Sequence, residues 1–124
     1  MSKKILIVDD EEDIVTYLQT LFGENGYNVI TAGNGVDAVR MAKAEKPDMI
    51  TLDITMPEES GVKAFRELQE SSETQNIPVI IVSGVDPEFK KFISSRKQVK
   101  PPAAYFEKPI DREELLNKVK EIIG

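Results

Sequence analysis

Short apolar runs alternate along this chain with longer segments of helical spacing. The runs are residues 4–8 (KILIV), 29–31 within NVITA, 49–52 (MITL), 79–82 (VIIV) and 104–106 (AYF). Most are continuously apolar and β-branched instead of alternating, the pattern of strands covered on both faces. Between them, Ile14, Val15, Leu18, Leu21 and Phe22 recur at three- and four-residue intervals and predict a helix over 12–25, with Gly26 as its stop signal. A second helix is predicted over 36–45, with Val36, Val39, Met41 and Ala42 on one side and Pro47 beyond its end; a third over 62–70 repeats the pattern through Phe65 and Leu68. Asp86 followed by Pro87 predicts a capped helix over 87–95. Asp111, with Glu114 three residues on, starts the last helix, whose stripe is Leu115, Leu116, Val119, Ile122 and Ile123.

Five strand–helix units in succession predict an α/β fold: a doubly wound, five-stranded parallel sheet with right-handed crossovers and helices on both faces. A chain of 124 residues is a single domain by length, and no linker, repeat or low-complexity stretch divides it. Ligands in such folds bind outside the carboxyl ends of the strands. Asp9, Asp10, Asp53, Ser83 and Lys108 all fall at those ends.

Composition narrows the chemistry. Cysteine and histidine are both absent, which excludes disulfides, thiolate catalysis, Ser-His-Asp triads, His/Cys zinc sites and a phosphohistidine within the chain. No apolar run is long enough for a signal peptide or a membrane span, and a cytoplasmic setting without membrane contact is expected. The net charge of −6 argues against general nucleic-acid binding. Its distribution is uneven, since the charged residues between positions 89 and 106 are Lys90, Lys91, Arg96, Lys97 and Lys100, all basic. That cluster is either a solvated lysine-rich surface or a docking patch for an acidic partner.

Three converging carboxylates repel one another unless a hard cation with oxygen preference neutralises them, and Mg²⁺ is the usual choice beside phosphates. An acidic helix start alone accounts for Glu11 and Glu12, but not for Asp53. A carboxylate directly after a buried strand can attack phosphorus in line and form an acyl phosphate. Lys108 offers an ammonium for the phosphoryl oxygens and Ser83 a hydroxyl. Each alone reads as ordinarily, Ser83-Gly84 as a turn and Lys108 as a surface lysine. Pro109 makes the Lys108–Pro109 bond a candidate cis peptide. Gly33-Asn34-Gly35 lacks the full phosphate-loop pattern and reads as a turn.

The strings ILIVDDE, LDITMPEESG, PVIIVSG and YFEKP, in this order on these elements, resemble the receiver domain of two-component response regulators over essentially the whole chain. The resemblance implies a flavodoxin-like sheet with strand order 2-1-3-4-5 and a phosphorylation-driven switch. It implies Asp53 as phosphoacceptor, Asp9 and Asp10 as the acidic pair for Mg²⁺, and the Thr55 backbone carbonyl as a further metal ligand. Ser83 and Lys108 take the family's hydroxyl and lysine positions, and Tyr105 its switch aromatic. The implied donor is a sensor histidine kinase or a histidine phosphotransfer protein. The implied output is an altered face of the fourth helix, fifth strand and last helix, read by a downstream protein or by an output domain, none of which follows Gly124 in this chain. Such a protein catalyses its own phosphorylation and dephosphorylation only. A non-phosphorylated interaction module and a Mg²⁺-dependent aspartyl-phosphate phosphatase are the alternatives; the latter would want an acid where Thr55 stands.

Three departures from the family pattern stand out. The stretch from Ser83 to Tyr105 is long, and Pro101-Pro102 within it shorten or displace the fourth helix. The basic cluster occupies the same stretch. Thr55 and Val85, at the positions that tune hydrolysis in the family, carry no group to orient a water, so a slowly hydrolysing acyl phosphate is expected.

Overall fold

The computed structural model describes residues 3–56, 60–83 and 102–124. In chain order these form β1 (Lys4–Val8), α1 (Glu12–Glu24), β2 (Asn28–Ala32), α2 (Gly35–Glu45), β3 (Met49–Leu52), α3 (Ser60–Glu70), β4 (Val79–Ser83), β5 (Ala104–Glu107) and α4 (Arg112–Ile123). The predicted helix over 87–95, the residues Gly84 and Val85, and the basic cluster Lys90, Lys91, Arg96, Lys97 and Lys100 lie outside the described residues.

All strands are parallel, in the order β2-β1-β3-β4-β5. The chain starts in the middle of the sheet, winds outward through β2, then crosses β1 to build the other half. This reversal leaves a crevice at the carboxyl ends of β1 and β3, which pair in register from Ile5↔Met49 to Val8↔Leu52.

Alternation along the strands divides the core in two. Leu6, Val8, Ile50, Leu52, Val79 and Ile81 face α2 and α3, where they meet Ala38, Ala42, Phe65 and Leu68. Ile5, Ile7, Met49, Ile80 and Val82 face α1 and α4, where they meet Leu18, Phe22, Leu115 and Val119. β1, β3 and β4 are buried on both faces, which is why their sequences carry no polar alternation.

One polar atom breaks this interior. Thr51 in β3 is 1% exposed, and its Oγ1 has no hydrogen-bond partner among the described residues. An unmade buried hydrogen bond costs about 1–3 kcal/mol. Thr51→Val, which replaces the hydroxyl with a methyl of similar size, is expected to raise stability by about 1 kcal/mol. Urea denaturation of the two proteins checks this; a lower midpoint for the variant would contradict it.

Helix ends follow local chemistry. Asn34 caps α2, its Oδ1 accepting from the Asp37 N–H at 2.8 Å, so the Gly33-Asn34-Gly35 turn is a helix start. Asp111 Oδ1 accepts from the N–H groups of Glu113 and Glu114 at 3.0 and 3.1 Å, as the sequence predicts. Gly26 adopts φ +87° directly after α1, the left-handed stop that glycine tolerates. Two details differ from expectation. α3 begins at Ser60 instead of Val62, which brings Gly61 into its first turn, against the Asp53 and Ile54 backbone. Val36, expected on the buried side of its helix, is 78% exposed. It sits in the first turn of α2, rotated away from buried Gly35, Ala38 and Ala42 onto the side it shares with Arg40 and Lys43.

Candidate functional site

Asp9 directly follows β1 and Asp53 directly follows β3, and backbone hydrogen bonds to neighbouring strands hold both. The Asp53 N–H donates to the Val8 carbonyl at 2.9 Å, and the Asp9 N–H to the Ala32 carbonyl at 3.2 Å. The two carboxylates are thereby pinned side by side at the centre of the crevice, 3% and 1% exposed.

Each oxygen has a defined partner. Asp9 Oδ1 accepts from the Glu11 N–H at 2.9 Å. Asp53 Oδ1 accepts twice from Thr55, from its N–H at 2.9 Å and its hydroxyl at 2.6 Å. The other oxygen of each acid faces Lys108, whose Nζ lies 3.1 Å from Asp9 Oδ2 and 3.4 Å from Asp53 Oδ2. Lys108 follows β5, and its peptide bond to Pro109 is cis. Its Nζ also reaches Glu11 Oε1 at 3.4 Å.

One ammonium therefore serves a larger negative cluster. Oxygens of Asp9, Asp10, Glu11 and Asp53 all lie within 4.8 Å of one another. At that separation two carboxylates repel by about 3 kcal/mol for an effective dielectric of about 20. Burial, with Asp53 adding to it, pushes the Asp9 carboxyl up to about 6, against the lowering effect of the Glu11 N–H and of Lys108. Burial on its own would lower the Lys108 ammonium, but Asp53, Asp9 and Glu11 outweigh it and hold the lysine more firmly protonated than usual. Asp9 and Lys108 thus pull in different directions. The lysine stays charged, and the surplus negative charge falls on the acids. An all-oxygen donor set with more negative charge than its single lysine cancels fits a hard divalent cation.

The structure brings Asp9, Asp10, Asp53, Thr55 and Lys108 together. Ser83 closes β4 at the same edge of the sheet, its backbone opposite Glu107, the residue before Lys108. Tyr105, opposite Ile81 in β5, packs half-buried against the α2–α3 half of the core. Sequence reasoning missed three contributors. Glu11 reads from sequence as a helix start, although its place in an unbroken acidic run signals membership of the cluster. The Thr55 side chain is read from sequence only as lacking a group to orient water, and not as a donor to Asp53. Gly61 was only a letter in a motif, yet a Cβ there would collide with the Asp53 carbonyl oxygen and Ile54 Cα.

Residues 5–120 match the family model of the response regulator receiver domain. The chain belongs to that family. Receiver domains are the response-regulator modules of two-component signalling, and the relatives extend the match. Protein PilH of Pseudomonas aeruginosa is 38% identical, with 98% of each chain covered. The alkaline phosphatase synthesis transcriptional regulatory protein PhoP of Bacillus subtilis is 37% identical over 99% of this receiver, which spans only 49% of that longer regulator. In structure, the receiver domain of sensor histidine kinase PA1611 from Pseudomonas aeruginosa superposes with a TM-score of 0.85 at 25% identity, covering 100% of this chain and 99% of that one. That structure has a magnesium ion coordinated in its active-site cleft. Among the described residues, no helix of this receiver is long and apolar enough to cross a membrane.

Proposed function

We propose that this receiver is a phosphorylation-activated switch that takes a phosphoryl group onto Asp53. The observation that carries the reading is the unequal state of the two Asp53 oxygens. Oδ1 is held by both Thr55 donors, whereas Oδ2 faces the Lys108 ammonium at 3.4 Å, where a transferring phosphoryl group would meet a positive charge. A lone pair on Oδ2 forms the new O–P bond as the P–N bond of a phosphohistidine breaks, and the imidazole leaves with that electron pair. The chain has no histidine, so the donor is another protein, a sensor histidine kinase or a histidine phosphotransfer protein. Thr55 fixes the carboxylate plane, and Lys108 donates to the phosphoryl oxygens as charge shifts onto them.

Asp9, Asp10, Asp53 and the Thr55 carbonyl would hold Mg²⁺. When bound, the ion neutralises charge on the acids and on the phosphoryl oxygens, so that two anions can approach. The product places a dianion beside Lys108. Ser83 is assigned to follow the new oxygens and Tyr105 to turn further inward, which alters the surface around β5 and α4 for a downstream protein.

Intact mass after incubation with Mg²⁺ and acetyl phosphate tests this. Wild type is expected to gain one phosphoryl group, a gain lost with EDTA and absent from Asp53→Asn. If neither acetyl phosphate nor a histidine kinase labels the folded protein, the switch is wrong and an interaction module takes its place. The same sample yields a lifetime. The Thr55 hydroxyl is engaged on Asp53 and orients no attacking water, so the label is expected to outlast removal of the donor by desalting. Complete loss within that step would contradict the slow hydrolysis.

A further inference from the structure

We propose that the groove between α2 and α3 docks an acidic amphipathic helix of a partner protein. The cavity there measures about 380 Å³ and is lined by successive turns of the two helices, within the range of about 300–1,000 Å³ that ligand pockets span. Buried Val39 and Ala64 and exposed Val36 supply its apolar lining, and Arg40, Lys43 and Lys63 its cations. The α2 positions run 36, 39, 40, 43, one stripe along two turns of helix.

Two features set this groove apart. Val36 and Tyr17 are the exposed large hydrophobic residues among those described, and Val36 lies in the groove. The cations are arranged for something outside the fold. Arg40 is matched by Asp37 at 3.1 Å, but Lys43 and Lys63 have no carboxylate partner among the described residues. Glu67 is the one acid in the lining. Lys43 near the end of α2 suits the helix dipole. Lys63 does not, because it stands in the first turn of α3, which holds no acidic residue and where a positive charge is unfavourable. A residue placed against its local preference, at the rim of an apolar groove on a chain of net charge −6, is placed for a ligand.

The chemistry of the groove selects the occupant. Two ammonium groups beside aliphatic lining residues match carboxylates flanking aliphatic side chains. A furrow between two helices accepts a third helix through anchors at i, i+3 or i+4 and i+7. Nucleic acid is disfavoured by the overall negative charge. A second copy seated by two-fold symmetry would present the same patch to itself, lysines against lysines. The surface is separate from the one made by β5 and α4. It shares a turn with the acceptor all the same, since Gly61, two residues before Lys63, rests on the Asp53 and Ile54 backbone.

The test is a titration of the intact ¹⁵N-labelled protein with a synthetic acetylated peptide of about 14 residues, leucines at helical anchor spacing and glutamates around them. Saturable shifts are expected at Val36, Val39, Lys43, Lys63 and Ala64. Lys43→Glu/Lys63→Glu, which alters exposed side chains only, is expected to weaken binding at least about fivefold. A scrambled peptide of the same composition without an apolar face is expected not to bind. The proposal is overturned if no shifts saturate, if they map elsewhere, if charge reversal leaves affinity unchanged, or if a peptide with lysines for glutamates binds as well.

Discussion

Lys108→Met is expected to destabilise the metal-free protein near neutral pH by roughly 3 kcal/mol, the scale of breaking a buried ion pair from one side. Methionine keeps much of the aliphatic stem, so the loss is mainly electrostatic. Lys108 is 16% exposed in its side chain and touches Asp9 and Asp53, both nearly sealed from water. Without it, those acids face each other with no cation among the described residues to separate them. The sign of the pH dependence follows from Asp9, whose carboxyl is raised from 3.8 to about 6 in the folded protein. Between those values the folded state holds a proton that the unfolded state has released, so stability falls as pH rises through this window. Above about pH 6 the penalty stands in full. In wild type it amounts to about 1–3 kcal/mol for this group, and Asp9→Asn is expected to recover that amount above pH 6 and nothing below pH 4. In Lys108→Met the window extends to higher pH, since the lysine no longer favours the charged acid. Adding Asp9→Asn to Lys108→Met is expected to restore most of the lost stability while phosphorylation stays low. Thermal melts across pH, with acetyl phosphate labelling of the same four proteins, separate the two roles. A double variant no more stable than Lys108→Met would show that the lysine does not act by compensating Asp9.

How much of this was legible beforehand depends on the kind of signal. β1, β3 and β4 announce themselves because strands buried on both faces must be continuously apolar, and the acids directly after β1 and β3 break that run at the sheet's edge. Strand order did not follow from periodicity and came with the family resemblance. Lys108 and Ser83 carry almost no signal as single residues; they gain meaning only because the parallel sheet brings the ends of β1, β3, β4 and β5 to one edge. The identity of the site was therefore readable from the set, whereas its internal wiring was not. Nothing in the string DITMP says that the Thr55 hydroxyl turns back onto Asp53, since that depends on the turn after β3. For Val36 the three-residue interval to Val39 misleads, because Val36 falls on the side of α2 shared with exposed Arg40 and Lys43, whereas Val39 lies with buried Gly35 and Ala42.

Gly61→Ala is expected to damage both stability and labelling although it adds only a methyl group, lowering stability by about 1–3 kcal/mol as overpacking against backbone does. The cause is space and not conformational freedom. Gly61 has no positive φ, but a methyl group there would collide with the Asp53 carbonyl oxygen and Ile54 Cα. A flexible side chain could swing aside, whereas the colliding atoms are the main chain that carries the acceptor. Either the first turn of α3 lifts, or the Asp53–Ile54 peptide moves and shifts the carboxylate relative to Thr55 and Lys108. Misplacement of a reacting group by about 1 Å can cost on the order of 100-fold in rate, so labelling by acetyl phosphate is expected to slow by at least about tenfold. Gly23 supplies the control. It lies within α1 with open space around the position of a Cβ, and Gly23→Ala is expected to stabilise the protein by about 0.5–1 kcal/mol with labelling unchanged. Opposite signs from the same chemical change would locate the constraint in the contact between α3 and the acceptor backbone. If Gly61→Ala labels at the wild-type rate despite lower stability, the turn of α3 yields while Asp53 stays in place, and the glycine serves packing alone.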